Sequence, residues 1–288
     1  MIAFSLWPIH VYRYGIMYAV SFLVWYTLLV QWQQRWWYKN YPFIDKLIAN
    51  DIDGLLIAVV LWVMIGGRLG HVIIYDLPYF IEHPLKIFAF QEWGMSFIGG
   101  IIWVILSIWF FVWKSWYSKS MSDWITTTSL SILDTLMPLI PLGVSLWRFG
   151  NFLNQELYGI VIPRDARWLP SWIIEFCQTT QLFHIYSHIG PELRLNTNFL
   201  SILFEGLMIA LLMRYLFFRF RVPKRFVAWQ LSAIWLGCYS LVRFSLEYLR
   251  QDSQMEVIWY FSKSQYIFIV FIIISVIFIT YPKSSTQQ

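Results

Sequence analysis

The sequence predicts an all-α, polytopic membrane protein with about seven transmembrane helices and a small extracytoplasmic head segment. Three observations carry that expectation. Charged residues are 13% of the 288, against roughly 25% in soluble domains. Apolar stretches near the ~20 residues of a bilayer crossing recur along the whole chain. The 18 Trp and 17 Tyr are enough to furnish aromatic belts at two membrane faces.

The first apolar stretch, near 12–32, lacks a basic amino-terminal region and a small-residue cleavage site, so it reads as a retained helix. The second, near 54–75, contains Gly66-Gly67-Arg68-Leu69-Gly70, a small-xxx-small pattern for close helix contact. Residues 77–93 are mixed and fit an interfacial segment. The third stretch, near 96–113, follows. The fourth, 126–151, is interrupted by Asp134, Pro138 and Pro141, prolines that a membrane helix tolerates when neighbours satisfy the freed carbonyls. Residues 152–198, with Pro163, Pro170 and Pro191, read as the head outside the bilayer. Stretches at 199–218, 227–248 and 264–281 complete the set, the last without a charge. One membrane domain over 1–288, with the head inserted, is the expected organisation.

Lys and Arg in the loops set orientation. An outside amino terminus puts ten of them on the inner side and seven on the outer, with the densest cluster at Arg219–Arg225 inside. The net charge of +5 is explained by these inner loops meeting anionic headgroups, not by nucleic acid. Cys177 and Cys238 give no disulfide framework. His184 and His188 are spaced i, i+4 without the acidic residue of a zinc-protease motif, so no metal is expected.

Arg68, Arg148 and Arg243 fall inside expected spans. An arginine at a helix centre costs about 2.5–3.5 kcal/mol on insertion scales, so it faces a partner or a cavity. With the orientation above, each lies in the outward half of its span. Tyr14 opens the first span at that level. Asn151 follows Arg148 by nearly one turn. Arg243, Glu247 and Arg250 share one helix face. Gly94, Gly99 and Gly100 mark the chain's re-entry from outside. Cations converging at the outer headgroup layer suit a phosphate, which a guanidinium binds with a planar fork of donors. Bland readings stand beside this one. Arg68 snorkelling, Arg148 as an interfacial anchor and Arg243–Glu247 as a structural ion pair each explain one residue.

The run Arg148-Phe149-Gly150-Asn151-Phe152-Leu153-Asn154-Gln155-Glu156-Leu157-Tyr158-Gly159 resembles the signature of the prolipoprotein diacylglyceryl transferases, with Trp147 in place of its leading glycine. Arg13–Tyr18, Gly66–Gly70, Gly94–Gly100, Pro138–Pro141 and Arg243–Asp252 resemble further family segments in order. The resemblance implies an enzyme without cofactor or metal. It would act in the bacterial inner membrane, amino terminus outside and carboxyl terminus cytoplasmic. Its substrates would be phosphatidylglycerol and a prolipoprotein signal peptide with a lipobox cysteine. It implies Arg148, Arg243, Glu156 and Glu247 as catalytic. It implies Tyr14, Arg68, Asn151, Asn154, Gly99, Gly100 and Gly159 as substrate-binding. Two departures stand out. Ile98 occupies a position where many members carry histidine, and it cannot transfer a proton. Leu195–Ser201 lacks the His-Pro-x-x-Leu-Tyr-Glu pattern that precedes the family's fifth helix. An inactive phospholipid-binding homologue, a lipid or solute transporter, and a structural assembly partner are the alternatives.

Overall fold

The computed structural model describes residues 2–6, 9–34, 42–74, 76–88, 96–115, 122–163, 170–186, 188–221, 226–251 and 257–280. The chain is mostly helical, with α1 (Arg13–Gln34), α2 (Pro42–Ile74), α3 (Leu77–Glu82), α4 (Phe97–Ser115), α5 (Ser122–Leu136), α6 (Ile140–Leu153), α7 (Ser171–Thr179), α8 (Thr197–Ser201), α9 (Ile209–Leu216), α10 (Gln230–Glu247) and α11 (Lys263–Thr280) among the described residues, and every one of the seven apolar stretches carries helix. By length and composition, Ile52–Ile74, Thr197–Phe220 and Lys263–Thr280 can each cross a membrane. Ser129–Leu136 and Ile140–Leu153, bent by 53° at the break between them, make a fourth if the pair is one span. The bend falls where Pro138 and Pro141 withhold their N–H groups, as the sequence leads one to expect. Exposed apolar side chains such as Leu211, Val270, Ile273 and Val276 cover the outward faces of these helices. So large an apolar surface fits lipid contact.

Two compact units divide the chain: Leu28–Thr135, and Met1–Thr27 with Leu136–Gln288. In the first, α2 (Pro42–Ile74) packs along α4 (Phe97–Ser115). Small residues permit the approach. A Cβ on Gly70 would sit 2.6 Å from Gly99 Cα, and one on Gly66 would run into the Trp103 ring. Trp62 stacks on Trp103 at 5.1 Å. Ser96 N–H donates to Gly67 O at 2.8 Å, which fixes the start of α4 against α2.

The second unit is built around α6 (Ile140–Leu153), α8 (Thr197–Ser201), α9 (Ile209–Leu216), α10 (Gln230–Glu247) and α11 (Lys263–Thr280). α8 and α9 are joined by a π-helical stretch, Ile202–Met208, into one continuous helix. Gly237 lies against Ser275, whose hydroxyl donates to Ala233 O at 2.7 Å, locking α10 to α11. The signature loop after α6 is stitched on both sides. Gly159 N–H donates to Leu195 O at 2.9 Å, and Ile160 N–H to Leu249 O at 3.1 Å. A Cβ on Gly159 would lie 2.5 Å from the first carbonyl and 2.8 Å from the second, so only glycine lets all three strands of chain meet. This seam fixes the ends of α6, α8 and α10 relative to one another.

Candidate functional site

The site starts from a close helix contact. Gly206, in the π-helical stretch, lies directly on Ser145 of α6, whose hydroxyl donates to Ile202 O at 3.3 Å. That contact brings Arg148, nearly one turn beyond Ser145, level with Glu205. Arg148 Nε and Nη2 donate to Glu205 Oε2 at 3.2 and 3.0 Å. Arg243 Nη1 reaches Glu205 Oε1 at 3.4 Å, and Ser201 Oγ donates to the same oxygen at 2.9 Å. Arg243 Nη2 pairs with Glu247 Oε2 at 2.9 Å, and Arg250 Nη1 meets that oxygen at 3.5 Å. Three helical elements and the residue Arg250 just beyond α10 thus contribute to one chain of alternating charge: Arg148, Glu205, Arg243, Glu247, Arg250.

The first four of these groups are buried. Glu205 is 0% exposed, Glu247 3%, Arg148 5% and Arg243 6%. Removing one partner from such a set leaves an uncompensated charge, at about 3–5 kcal/mol. Tyr239, also buried, lies within electrostatic reach of Arg148, and the Trp147 indole lies 5.6 Å from its guanidinium carbon. The residue that departs from the signature therefore flanks the arginine the signature supplies.

Asn151 and Asn154 complete the picture. They are 1% and 5% exposed. Among the described residues neither amide has a hydrogen-bond partner for its nitrogen or its oxygen. Buried amides are almost always satisfied, and exceptions call for an explanation. Two such amides on the arginine's own segment are donors and acceptors ready for a polar ligand.

The signature loop is held in an uncommon shape. Gln155 and Leu157 have φ of 58° and 53°, the left-handed region that non-glycine residues rarely adopt. Side chains from the segment that departs from the family pattern secure it. Thr197 Oγ1 donates to Leu157 O at 2.5 Å, and Asn198 Nδ2 to Glu156 O at 2.6 Å. Asn196 caps α8 by accepting from Phe199 N–H at 3.1 Å. Thr197 and Asn198 thus tie the start of α8 to the signature. Behind it, Tyr186 is buried, which pushes its phenol up to about 12. Burial also holds the His184 imidazole below its ordinary value.

Of the residues singled out from sequence, Arg148, Asn151, Asn154, Glu156, Gly159, Arg243 and Glu247 fall in this unit. Arg68 belongs to the other. It is 2% exposed, donates to Lys86 O at 2.7 Å and Ile87 O at 3.1 Å, and lies 5.2 Å from the Phe80 ring centre. Gly99 is engaged in the α2–α4 contact, whereas a Cβ on Gly100 would meet open space. Tyr14 stands in the first turn of α1 (Arg13–Gln34), but its side chain, like that of Ile98, lies outside the described set. Gly94 is likewise outside the described residues. Glu205 is the site residue the sequence reading missed. Its signal was an acid inside an apolar stretch, followed by a small residue.

The sequence profile of the family described as prolipoprotein diacylglyceryl transferase matches residues 1–281. The phosphatidylglycerol–prolipoprotein diacylglyceryl transferase of Coxiella burnetii is 31% identical over 255 residues, which cover 88% of this chain and 83% of that one. The protein of the same name from Burkholderia cenocepacia is 30% identical over 263 residues, with 87% and 82% covered. That of Paraburkholderia xenovorans is 32% identical over 267 residues, with 87% and 81% covered.

Proposed function

We propose that this chain, which belongs to the prolipoprotein diacylglyceryl transferase family, moves the diacylglyceryl group of phosphatidylglycerol to the lipobox cysteine of a prolipoprotein. It is a membrane protein, by its apolar helices and its family. The single observation that carries the site assignment is the convergence of buried Arg148 and Arg243 beside the amides of Asn151 and Asn154, which have no partner among the described residues.

The chemistry follows from the charges. The cysteine sulfur bonds to the glycerol carbon that carries the phosphate ester. The carbon–oxygen bond breaks, and its electron pair leaves on glycerol phosphate. Negative charge grows on that leaving group, where positioned cationic donors stabilise it; one such donor contributes on the order of 3–4 kcal/mol. Arg148 and Arg243 take this role, with Asn151 and Asn154 as further headgroup contacts. Glu247 is committed to Arg243 and Arg250, which makes it an orienting group. Glu156, in the signature loop, takes the thiol proton, the catalytic role that the family resemblance gives it. A thiol of pKa about 8.5 is already a few per cent thiolate near neutral pH. The attack therefore tolerates Ile98 where other members carry histidine.

The remaining assignments take the following form. Seven spans make one membrane domain in the bacterial inner membrane, with the amino terminus outside and the carboxyl terminus cytoplasmic. Residues 152–198 stand outside and receive the signal peptide. Gly159 acts by letting the signature seam close, Gly99 by letting α4 approach α2, and Arg68 by holding the Pro84–Phe88 turn. Tyr14 and Gly100 keep the substrate-binding role that the family resemblance gives them. A phospholipid-binding homologue without turnover is the second reading, favoured by Ile98.

The test supplies purified protein with phosphatidylglycerol and a lipobox peptide, and looks for the diacylglyceryl adduct by mass spectrometry. The transferase reading expects adduct that disappears in Arg148→Ala. No adduct, beside an authentic member that works, leaves the binding homologue.

A further inference from the structure

The short hairpin between α10 and α11 carries side chains that its turn does not favour. Strands Val257–Ile258 and Phe261–Ser262 pair antiparallel, with Ile258 opposite Phe261, so Trp259 and Tyr260 alone make the turn. Trp259 has φ of 62°. At the first position of a two-residue hairpin turn, a positive φ usually calls for glycine. Here a tryptophan takes it, 87% exposed, with Tyr260 81% exposed beside it. Backbone strain of this kind under so exposed a ring points to a role outside the packing of the fold.

We infer that the Trp259–Tyr260 turn is a membrane-interface anchor. Its two rings sit in the headgroup layer of the bilayer and hold the adjoining end of α10, and with it Arg243, at that depth. This needs only the membrane character of the chain and stands apart from the transferase reading.

Position argues for lipid as the partner. The hairpin runs straight into Lys263, the first of 18 residues able to cross a membrane. At 1.5 Å per residue that stretch is about 27 Å long, close to the roughly 30 Å of a hydrocarbon core. Lys263 therefore lies at the edge of the core. From there back to the turn is at most about 10 Å of extended chain, comparable to the headgroup layer, about 5–8 Å deep on each side. Tryptophan and tyrosine are the residues enriched at that layer, where an apolar ring and a polar tip are both satisfied. Exposed Lys263 adds a cation at the same level, as interfacial anchors commonly do. A docking surface for an apolar peptide would be a groove, whereas a two-residue tip is convex.

The hairpin is fastened to both helices. Ser262 N–H donates to Gln265 Oε1 at 2.9 Å, and Gln265 N–H to Ser262 Oγ at 3.2 Å. This reciprocal cap sets the angle at which the hairpin meets α11. Gln265 Nε2 donates to Phe244 O at 3.3 Å, and the Phe261 ring centre lies 5.6 Å from that of Phe244. Phe244 follows Arg243 directly. What holds the tip in the interface therefore holds the turn of α10 that bears Arg243.

The experiment places a nitroxide at Tyr260→Cys in the full chain carrying Cys177→Ser and Cys238→Ser, in nanodiscs of phosphatidylglycerol and phosphatidylcholine. Power saturation with oxygen and with an aqueous nickel chelate reads its depth. The label is expected within about 8 Å of the hydrocarbon edge. A label as accessible to the chelate as one in free solution overturns the inference. So does a label shielded only after a lipobox peptide is added, which would assign the tip to the peptide. A second label, at Tyr248→Cys just past α10, where the side chain is 46% exposed, reads the anchoring. From thin to thick bilayers it is expected to keep its distance from the phosphate level while Trp259 and Tyr260 are present. In Trp259→Gly with Tyr260→Ser it is expected to shift by about 2 Å or more. Glycine suits the turn, so this variant keeps the fold. Equal behaviour of the two proteins overturns the anchoring. Transfer activity enters neither measurement, so failure here is distinct from failure of the transferase reading.

Discussion

Gly206→Ala is the smallest change that separates the geometry of this site from the stability of the fold. The added methyl carbon would land on Ser145 Oγ, 2.8 Å from Ser145 Cβ and 3.1 Å from its Cα. Rotating the hydroxyl relieves only the first contact. Ordinary carbon–carbon contact is roughly 3.5–4.0 Å, so α6 must retreat by about 0.5–1 Å. Overpacking of this kind costs about 1–3 kcal/mol, and alanine returns up to about 1 kcal/mol through its better helix propensity. The net loss of stability is therefore small. The effect on the site is larger, because Arg148 rides on α6 and Glu205 on the opposing helix. A shift of about 1 Å lengthens their 3.0 and 3.2 Å bonds and re-aims the guanidinium while the two charges stay paired, and displacements of that size can cost about 10²-fold in rate. Transfer to a lipobox peptide should fall by that order while the melting temperature drops only a few degrees. Ser145→Gly in the same chain removes the obstacle and should restore most of the activity. Undiminished transfer in Gly206→Ala, or a loss that Ser145→Gly fails to relieve, would refute the reasoning.

Three further outcomes are expected. Arg148→Met alone should destabilise by about 3–5 kcal/mol, because Glu205 loses its bidentate partner; Arg148→Met with Glu205→Met should regain much of that stability without regaining transfer. Thermal unfolding and adduct formation, measured on the same samples, check both halves. Asn151→Ala should leave the melting temperature nearly unchanged, since its amide has no partner among the described residues. It should weaken phosphatidylglycerol binding by roughly tenfold or more, the loss of a hydrogen bond to a charged group. His184, lowered by burial, binds fewer protons folded than unfolded. Stability should therefore decline as pH falls below about 6.5 and through its folded value. His184→Gln should flatten that decline in a melting series.

Much of the site was legible before the structure. Arg148, Arg243 and Glu247 announce themselves as charges in apolar stretches, and the i, i+4 spacing of the last two becomes a 2.9 Å ion pair. Pro138 and Pro141 mark the break in the fourth stretch, where the helices bend by 53°. Glu205 was missed for a specific reason. The acid that both arginines use lies four residues beyond Leu195–Ser201, where a family pattern is absent, and a single carboxylate in an apolar stretch does not declare its partners. The role of Gly206 depends on a helix pair 61 residues apart in sequence (Ser145 and Gly206), and no local periodicity encodes that pairing. Arg68 was legible as a buried cation. Its partners were not, because they are main-chain carbonyls of a turn eighteen and nineteen residues away. The π-helical stretch packs against α6, and helix propensity does not distinguish it from α-helix.

The most direct test is a structure determined with phosphatidylglycerol bound. The phosphate should lie about 3 Å from donors of Arg148 and Arg243, with the Asn151 amide in reach. A headgroup seated away from both arginines, for example against Arg214 and Arg219 further along the same helix as Glu205, would contradict the account.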